Sequence, residues 1–576
     1  MPLRLERLLP YALPVLLVML YIILLSGGIN LVTADLGRHI ANGRLFLETW
    51  QTIDTNTYSY THPDFPVANH HWLSGVLFYL TFIVGGFAGT HLMFILVSAA
   101  AFLIFFRIAW KKGGLPLASV FALLLLPIIA ERTEVRPEAF SYLLAGVYFF
   151  LLLRHREGRL SAKALAITLG ILQVLWVNLH IYFFVGWVLV GTFLLEDIVM
   201  RGRRHASTKT LALCFGIVLA AVFVNPFTLE GALAPFTIFN EYGYRLVENQ
   251  SVWFLRSILN RPNLLYFEIV SAALVGSFIL VFIREKRILG ASQEVVDSFD
   301  RMVRSRGTAS QDLLRYFRSE ANGNSQKVYS SCKEETVIQP EQRRYGENIR
   351  IVELILGLGF GVAAALALRN FTIFGLFALP LFAENVAHAF PSIKTSASRT
   401  AEWMLAGVIA VIVLLFVTGE MRKAYAYPPH ALGLLPGNER SAEFFLAHDL
   451  KGPIFNNYDI GGYLIHYLYP HERVFVDNRP EAYPAEFFRN VYIPMQENET
   501  VWNEQDATHH FNTIFFSYHD YTPWAQQFLV ARINDPDWAP VYADNFVIIF
   551  LKRNEQNTAI ISEFEIPRER FRMTPS

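Results

Sequence analysis

Two cysteines in 576 residues, Cys214 in an apolar run and Cys332 in a polar one, exclude a disulfide framework and a thiolate metal site. Charge is scarce too. Asp, Glu, Lys and Arg make up 17% of the chain, against about 25% in a typical soluble domain. Forty-nine basic residues balance 49 acidic ones, so net charge gives no reason to expect nucleic acid as a partner. There is no internal repeat and no G-x-G-x-x-G dinucleotide fingerprint. What abounds is apolar sequence: 53% hydrophobic and 14% aromatic residues, with a mean hydropathy of +0.32. Gathered in long runs, this is the composition of a polytopic membrane protein.

A span needs about twenty apolar residues, somewhat fewer when its ends snorkel. Runs of that kind fall at 9–32, 91–110, 115–130, 139–153, 164–177, 181–195, 210–224, 264–283, 351–368, 372–388 and 403–418. The first follows a mildly basic start with Arg4 and Arg7. It has no small-residue cleavage site, so it reads as a retained span. A shorter apolar segment, 72–85, ends in Gly85-Gly86 and fits an amphipathic helix lying in the interface. If it does not cross, Lys111-Lys112, the 154–159 loop, Arg201 to Arg204, Arg284 to Arg287, Lys394 and Arg399 all face inward. That is the excess of Lys and Arg expected on cytoplasmic loops; if the segment crossed, all would face outward. The expectation is a mainly α transmembrane bundle of about eleven spans, with its N-terminus cytoplasmic and its C-terminus outside.

The multi-span domain runs over 1–420, with an outer loop at 33–90 and a cytoplasmic polar insert at 289–348. Helical apolar spacing at 293–319 predicts a surface helix within the insert. Beyond it lies a domain of soluble composition, 421–555, and then a polar tail, 556–576, expected to be flexible. Segments 453–455, 473–476, 511–517 and 546–551 read as strands, and 441–448, 463–469 and 524–533 as helices. That alternation predicts a small extracytoplasmic α/β domain.

The chemistry-bearing residues gather at the outer ends of the spans. Asp35, Arg38 and His39 sit within five positions, just after the first span. Ionisable groups so near hydrocarbon mark a functional site, although Asp35 also suits the N-cap of a helix running to Leu47. His70 and His71 lead into the interfacial helix, as cavity groups or as interface anchors. The loop 131–138 supplies Arg132, Glu134, Arg136 and Glu138. Glu131, Glu134 or Glu138 would be a second acid facing Asp35, an arrangement suited to sugar transfer. Arg132 or Arg136 would fork a phosphate, while Glu138 equally suits the dipole of the helix it starts. Asn178, His180 and Arg369 recur at outer turns and predict a polar cavity ringed by span ends. In the α/β domain, Gly461-Gly462 would admit a ligand closely. Asp477 and Arg479 follow a strand, as ligand groups or as a structural pair.

With Asp35-Leu36-Gly37-Arg38-His39-Ile40, Trp72-Leu73 through Gly85-Gly86, Arg136-Pro137-Glu138, Trp176-Val177-Asn178-Leu179-His180, Asn225-Pro226, Arg369-Asn370 and Phe475-Val476-Asp477-Asn478-Arg479, the chain resembles the GT-C fold glycosyltransferases that use polyprenyl-phosphate sugars. Protein O-mannosyltransferases, aminoarabinose transferases and lipopolysaccharide-core galacturonosyltransferases belong to that superfamily. The resemblance covers most of the chain outside the insert. It implies a bacterial inner-membrane enzyme that transfers a hexosyl or pentosyl unit from a polyprenyl-phosphate donor to an envelope glycan, lipid or protein acceptor. Asp35 would act as the catalytic base or position the acceptor. Arg38, His39, His70, His71, Arg132, Arg136, Asn178, His180 and Arg369 would serve the donor phosphate. Relatives often pair two acids in the first outer loop, whereas here Leu36 follows Asp35. No cofactor is called for, and a divalent metal is not indicated. Other classes fit less well. A flippase for lipid-linked saccharide calls for ionisable residues deep in the membrane and a repeat between halves. A non-catalytic scaffold does not need so many spans.

Overall fold

The computed structural model describes residues 9–237, 242–244, 246–259, 261–305, 350–392, 399–424 and 427–571. The basic start at 1–7, residues 306–348 of the insert with Cys332, and Lys394 lie outside the described residues.

Each of the eleven apolar runs forms a helix. They are Leu9–Leu25, the second arm of Trp72–Gly113, Leu115–Ile129, Glu138–Arg156, Ala162–Leu179, Phe184–Arg201, Ala206–Ala221, Pro262–Ser305, Ile351–Leu366, Phe371–Ala389 and Arg399–Val417. Among the described residues, six helices are long and apolar enough to cross a membrane, and four more are apolar but shorter. Up to Ser305, the helix expected at 293–319 continues the apolar helix before it. The Leu368–Ala389 segment is the centre of the bundle, 83% buried, whereas Arg399–Val417 is only 22% buried. The latter leaves Met404, Val408, Val411 and Leu414 exposed along its length, a surface made for lipid rather than water.

The 42-residue helix Trp72–Gly113 breaks at Gly85 and Gly86, where Gly86 takes φ +60°, a conformation favouring glycine. Trp72 Nε1 donates to Asn178 Oδ1 at 2.8 Å, and His91 Nδ1 accepts from the Gly433 N–H at 3.2 Å. Both partners lie at the end of the bundle that carries the C-terminal domain. The first arm therefore stays at that end, and only the second runs across to Lys111 and Lys112. At the far end, Lys112 and Arg156 converge on the buried Glu353 at 3.1 and 2.9 Å and tie three helices together.

Beneath the first arm lies the helix Leu36–Thr49, crossing it glycine on glycine. A Cβ on Gly43 would fall 2.0 Å from the Gly75 carbonyl oxygen. Gly43→Ala must push two helix backbones apart and is expected to cost about 1–3 kcal/mol, the usual range for overpacking. Thermal unfolding in detergent reads this. An unchanged midpoint would show that the crossing can relax.

The C-terminal domain holds a four-stranded sheet in the order β1 (Ile454–Asn456), β2 (Thr513–Ser517), β4 (Val547–Lys552), β3 (Trp538–Ala543). β1 and β2 run parallel; the other pairs are antiparallel. Phe455, Trp502, Phe511 and Phe528 pack under it. In the segment expected as a strand at 473–476, Val474, Phe475 and Val476 are buried, but the segment lies outside the sheet. Its hydrogen bonds go elsewhere: Val474 N–H donates to Tyr58 O, and Tyr60 N–H donates to Val474 O. The Asn456 side chain accepts from the Phe475 N–H through Oδ1 and donates to the Val476 carbonyl through Nδ2. β3 was not anticipated; it carries Pro540 and is an edge strand, where a missing N–H is tolerated. The tail expected to be flexible forms the helix Thr558–Phe564, and Ile566 N–H donates to Pro540 O at 2.8 Å.

Candidate active site

Asp35 immediately precedes the Leu36–Thr49 helix, yet its side chain makes no capping hydrogen bond. One carboxylate oxygen accepts from Asn478 Nδ2, and the other lies 3.4 Å from Arg136 Nη1. The same amide accepts, through Oδ1, from Arg38 Nε at 3.0 Å. One C-terminal asparagine thus bridges an acid and a base on a single helical turn. Glycine permits the approach: a Cβ on Gly37 would fall 2.4 Å from the Gly462 carbonyl oxygen, and one on Gly461 would fall 2.4 Å from Asp477 Cα. The Gly461-Gly462 pair, expected to admit a ligand, instead seats the C-terminal domain on the Asp35 helix.

Around Asp35 opens a cavity of about 670 Å³, within the usual range for a ligand site. The 33–90 loop contributes Asp35, Arg38, His39, His70 and His71. Arg136, Glu138, His180, Glu248 and Arg369 come from the ends of other helices and the turns between them, and Asn478 and Glu481 from the C-terminal region. Glu248 lies 2.8 Å from Arg132 and 3.1 Å from Arg136. Glu138 lies 3.1 Å from Arg132 and 3.5 Å from Arg369, whose guanidinium also covers the Tyr182 ring and donates to Asn249. Arg136 is further paired with the half-exposed Glu134 at 2.6 Å. Arg38 is 6% exposed and makes no ion pair among the described residues. Asp35 and Glu481 feel its charge without pairing directly with it.

Burial pushes the Asp35 carboxyl above its ordinary value; Arg136 and Arg38 pull it back, while Glu248 and Glu134 add to the rise. Four imidazoles share the cavity wall. His70 lies 4.2 Å from His71 between ring centres; His71 lies 5.1 Å from His180 and 5.8 Å from His39. Burial lowers His70 to about 4 and His180 to about 3, and holds His39 and His71 well below their ordinary value. They are neutral near pH 7, so the cationic charge here is arginine's.

The structure therefore gathers Asp35, Arg38, His39, His70, His71, Arg136, Glu138, His180 and Arg369 on one cavity. Arg132 stands behind it, holding Glu138 and Glu248. Glu134 is outside the lining. Asn178 is a structural tie, accepting from Trp72 and donating to Val174 O and Val224 O. Asp477 is fully buried and paired with Arg479 at 2.7 Å. Glu248, Asn478 and Glu481 are not among the residues the sequence singles out as site groups, although Asn478 lies in the Phe475 to Arg479 motif; for Glu248 the one signal is the polar run Glu248-Asn249-Gln250. Among the described residues, no group of three or more His, Cys, Asp or Glu is placed to hold a metal ion.

No family model and no curated protein matches the sequence. Among solved structures, the Archaeoglobus fulgidus oligosaccharyltransferase, tethered by a disulfide to an acceptor peptide containing an NVT sequon, is similar over 95% of this chain and 74% of its own. The TM-score is 0.50 and the identity 13%. The chain has the GT-C fold. The apo form of the same enzyme gives a TM-score of 0.48 at 13% identity, covering 90% of this chain and 71% of that one. ArnT from Cupriavidus metallidurans bound to undecaprenyl phosphate gives 0.47 at 12% identity, covering 97% and 98%. In this GT-C bundle the cavity lies between the helix ends and the C-terminal domain.

Proposed function

We propose that the chain is an integral-membrane glycosyltransferase. It moves a sugar from a polyprenyl-phosphate donor to a hydroxyl of an envelope glycan, lipid or protein. The reading rests on one observation above all: a buried guanidinium, Arg38, without an ion-pair partner, within one helical turn of an acid, Asp35. An unpaired buried charge is costly, and an anionic ligand relieves it. The cavity's edge helix Thr228–Thr237 exposes Leu229 and Phe236 beside lining residues, which suits a ligand with an apolar chain.

In this reaction Asp35 takes the proton from the acceptor hydroxyl. The acceptor oxygen bonds to the anomeric carbon as the bond from that carbon to the phosphate oxygen breaks. Polyprenyl phosphate leaves with the electron pair, its charge met by Arg38, Arg136 and Arg369. Phosphate is a good leaving group, so positioning and charge stabilisation carry most of the rate. Glu138 sits between two guanidiniums, which suits orienting Arg369 better than delivering a proton. Loop charges favour a cytoplasmic N-terminus, about eleven spans and a cavity on the outer face of a bacterial inner membrane, away from nucleotide sugars.

Comparing the glycolipids and envelope glycans of deletion and parent cells tests the function. Loss of one sugar from one glycan is expected, and identical profiles would overturn the reading. For the donor site, Arg38→Ala is expected to weaken binding of undecaprenyl phosphate by about 10- to 100-fold, the scale of a lost charge-assisted contact. Unaltered binding to the detergent-solubilised protein would place the phosphate elsewhere.

A further inference from the structure

The loop Asp477 to Glu481 is unusually fixed. Asp477 takes the Arg479 backbone N–H at 3.1 Å and the guanidinium at 2.8 and 2.7 Å, all buried. The guanidinium also donates to Asn56 Oδ1 at 2.7 Å, and Asn56 Nδ2 donates to Ala482 O at 3.0 Å. A buried ion pair is weak evidence for stability, but here it clamps both ends of a five-residue turn to the 33–90 loop. Two side chains of that turn face the cavity. Asn478 is committed to Asp35 and Arg38. Glu481 lines the cavity; its carboxyl meets its own backbone N–H and makes no hydrogen bond or ion pair with another residue's side chain among the described residues.

A free carboxylate repels phosphate, so Glu481 does not serve the donor's anionic group. A carboxylate that no other residue engages keeps lone pairs to accept hydrogen bonds from neighbouring hydroxyls. Tyr242 and Tyr244 line the same cavity, and Tyr244 is held by stacking on Tyr458 at 4.2 Å. Aromatic faces beside a carboxylate offer apolar cover for the C–H face of a sugar and acceptors for its hydroxyls. Burial pushes the Glu481 carboxyl above its ordinary value, against its own backbone N–H, Arg38 and Arg479. Ligand hydroxyls would relieve that burden.

We infer that Glu481 is the residue through which the C-terminal domain grips the acceptor, and that the acceptor presents a saccharide there. This rests on the glycosyltransferase reading. Saccharide hydroxyls belong to both the acceptor and the donor's sugar, so the test separates the two. Deletion cells accumulate unused donor lipid and unmodified acceptor. Both fractions are extracted and supplied in turn, at varied concentration, to membranes carrying wild type or Glu481→Gln. The expected result is an acceptor KM raised at least tenfold with donor KM within twofold of wild type. Glu481→Asp is expected to recover part of the loss. Equal KM values for both substrates would overturn the inference. A raised donor KM alone would assign Glu481 to the donor's sugar and overturn it too. Binding of undecaprenyl phosphate by Glu481→Gln confirms a folded cavity; if it is lost, the same split is read on Glu481→Asp. Wild-type membranes that transfer nothing between the two fractions would instead sink the glycosyltransferase reading.

Discussion

Asp35→Asn is expected to cut sugar transfer by about 10²- to 10⁴-fold, the usual worth of a general base, with no loss of protein from the membrane. The substitution keeps the shape of the side chain. Arg136 retains Glu134 and Glu248 as partners, so it is not left unpaired. Stability should respond in the opposite sense to activity. The folded state raises the Asp35 pKa, burial being the largest cause, so the folded protein holds the proton more tightly than the unfolded chain. That contribution is fully present below the unfolded pKa and fades as pH rises through the folded one. At neutral pH the ionised carboxylate is therefore a small burden, and the asparagine variant should unfold at or slightly above the wild-type temperature. The pH profile adds a third readout. Activity should fall on the acid side at a higher pH than an ordinary aspartate would give. Asn478→Ala removes a hydrogen bond to the charged form and should move that limb higher still. Full activity in Asp35→Asn would remove this residue from the mechanism.

Asp35 was legible in the sequence because its neighbours are local. Arg38 and His39 follow within a turn, and the apolar runs on either side fix its depth. The helices were legible for the same reason, since a span declares itself by length and composition. Asn478 was not, because it meets Asp35 across 443 positions of chain and asparagine after a strand reads as turn material. Glu481 hid in the same way. The segment 473–476 misled because burial and β-branching do not say which backbone will answer; here the 58–60 loop and one asparagine side chain replace a neighbouring strand. The Gly461-Gly462 pair was rightly read as a place of close approach, but what approaches is another helix. In each case the missing information was a long-range partner, which periodicity does not carry.

Arg479→Met should destabilise the protein by about 3–5 kcal/mol, because it leaves Asp477 buried without its counter-charge. Asp477 has no exposed surface, and of its remaining donors one is the Tyr483 hydroxyl at 3.2 Å. Unfolding in detergent, followed at fixed protein concentration, reads the loss. The double variant Asp477→Asn with Arg479→Met should regain most of it, since a neutral pair of similar volume no longer buries a lone charge. Regained stability should not restore transfer. The clamp that runs from Asp477 through Arg479 to Asn56 holds the turn carrying Asn478 and Glu481, and a methionine cannot span it. A slip of about 1 Å in groups that position reactants costs on the order of 10²-fold in rate. The double variant is therefore expected to be nearly as stable as wild type and much slower. If it is as fast as wild type, the ion pair holds the fold and nothing more. If it is stable but slow, the buried charges are kept for the placement of two side chains, and the C-terminal domain is part of the active site rather than a cover over it.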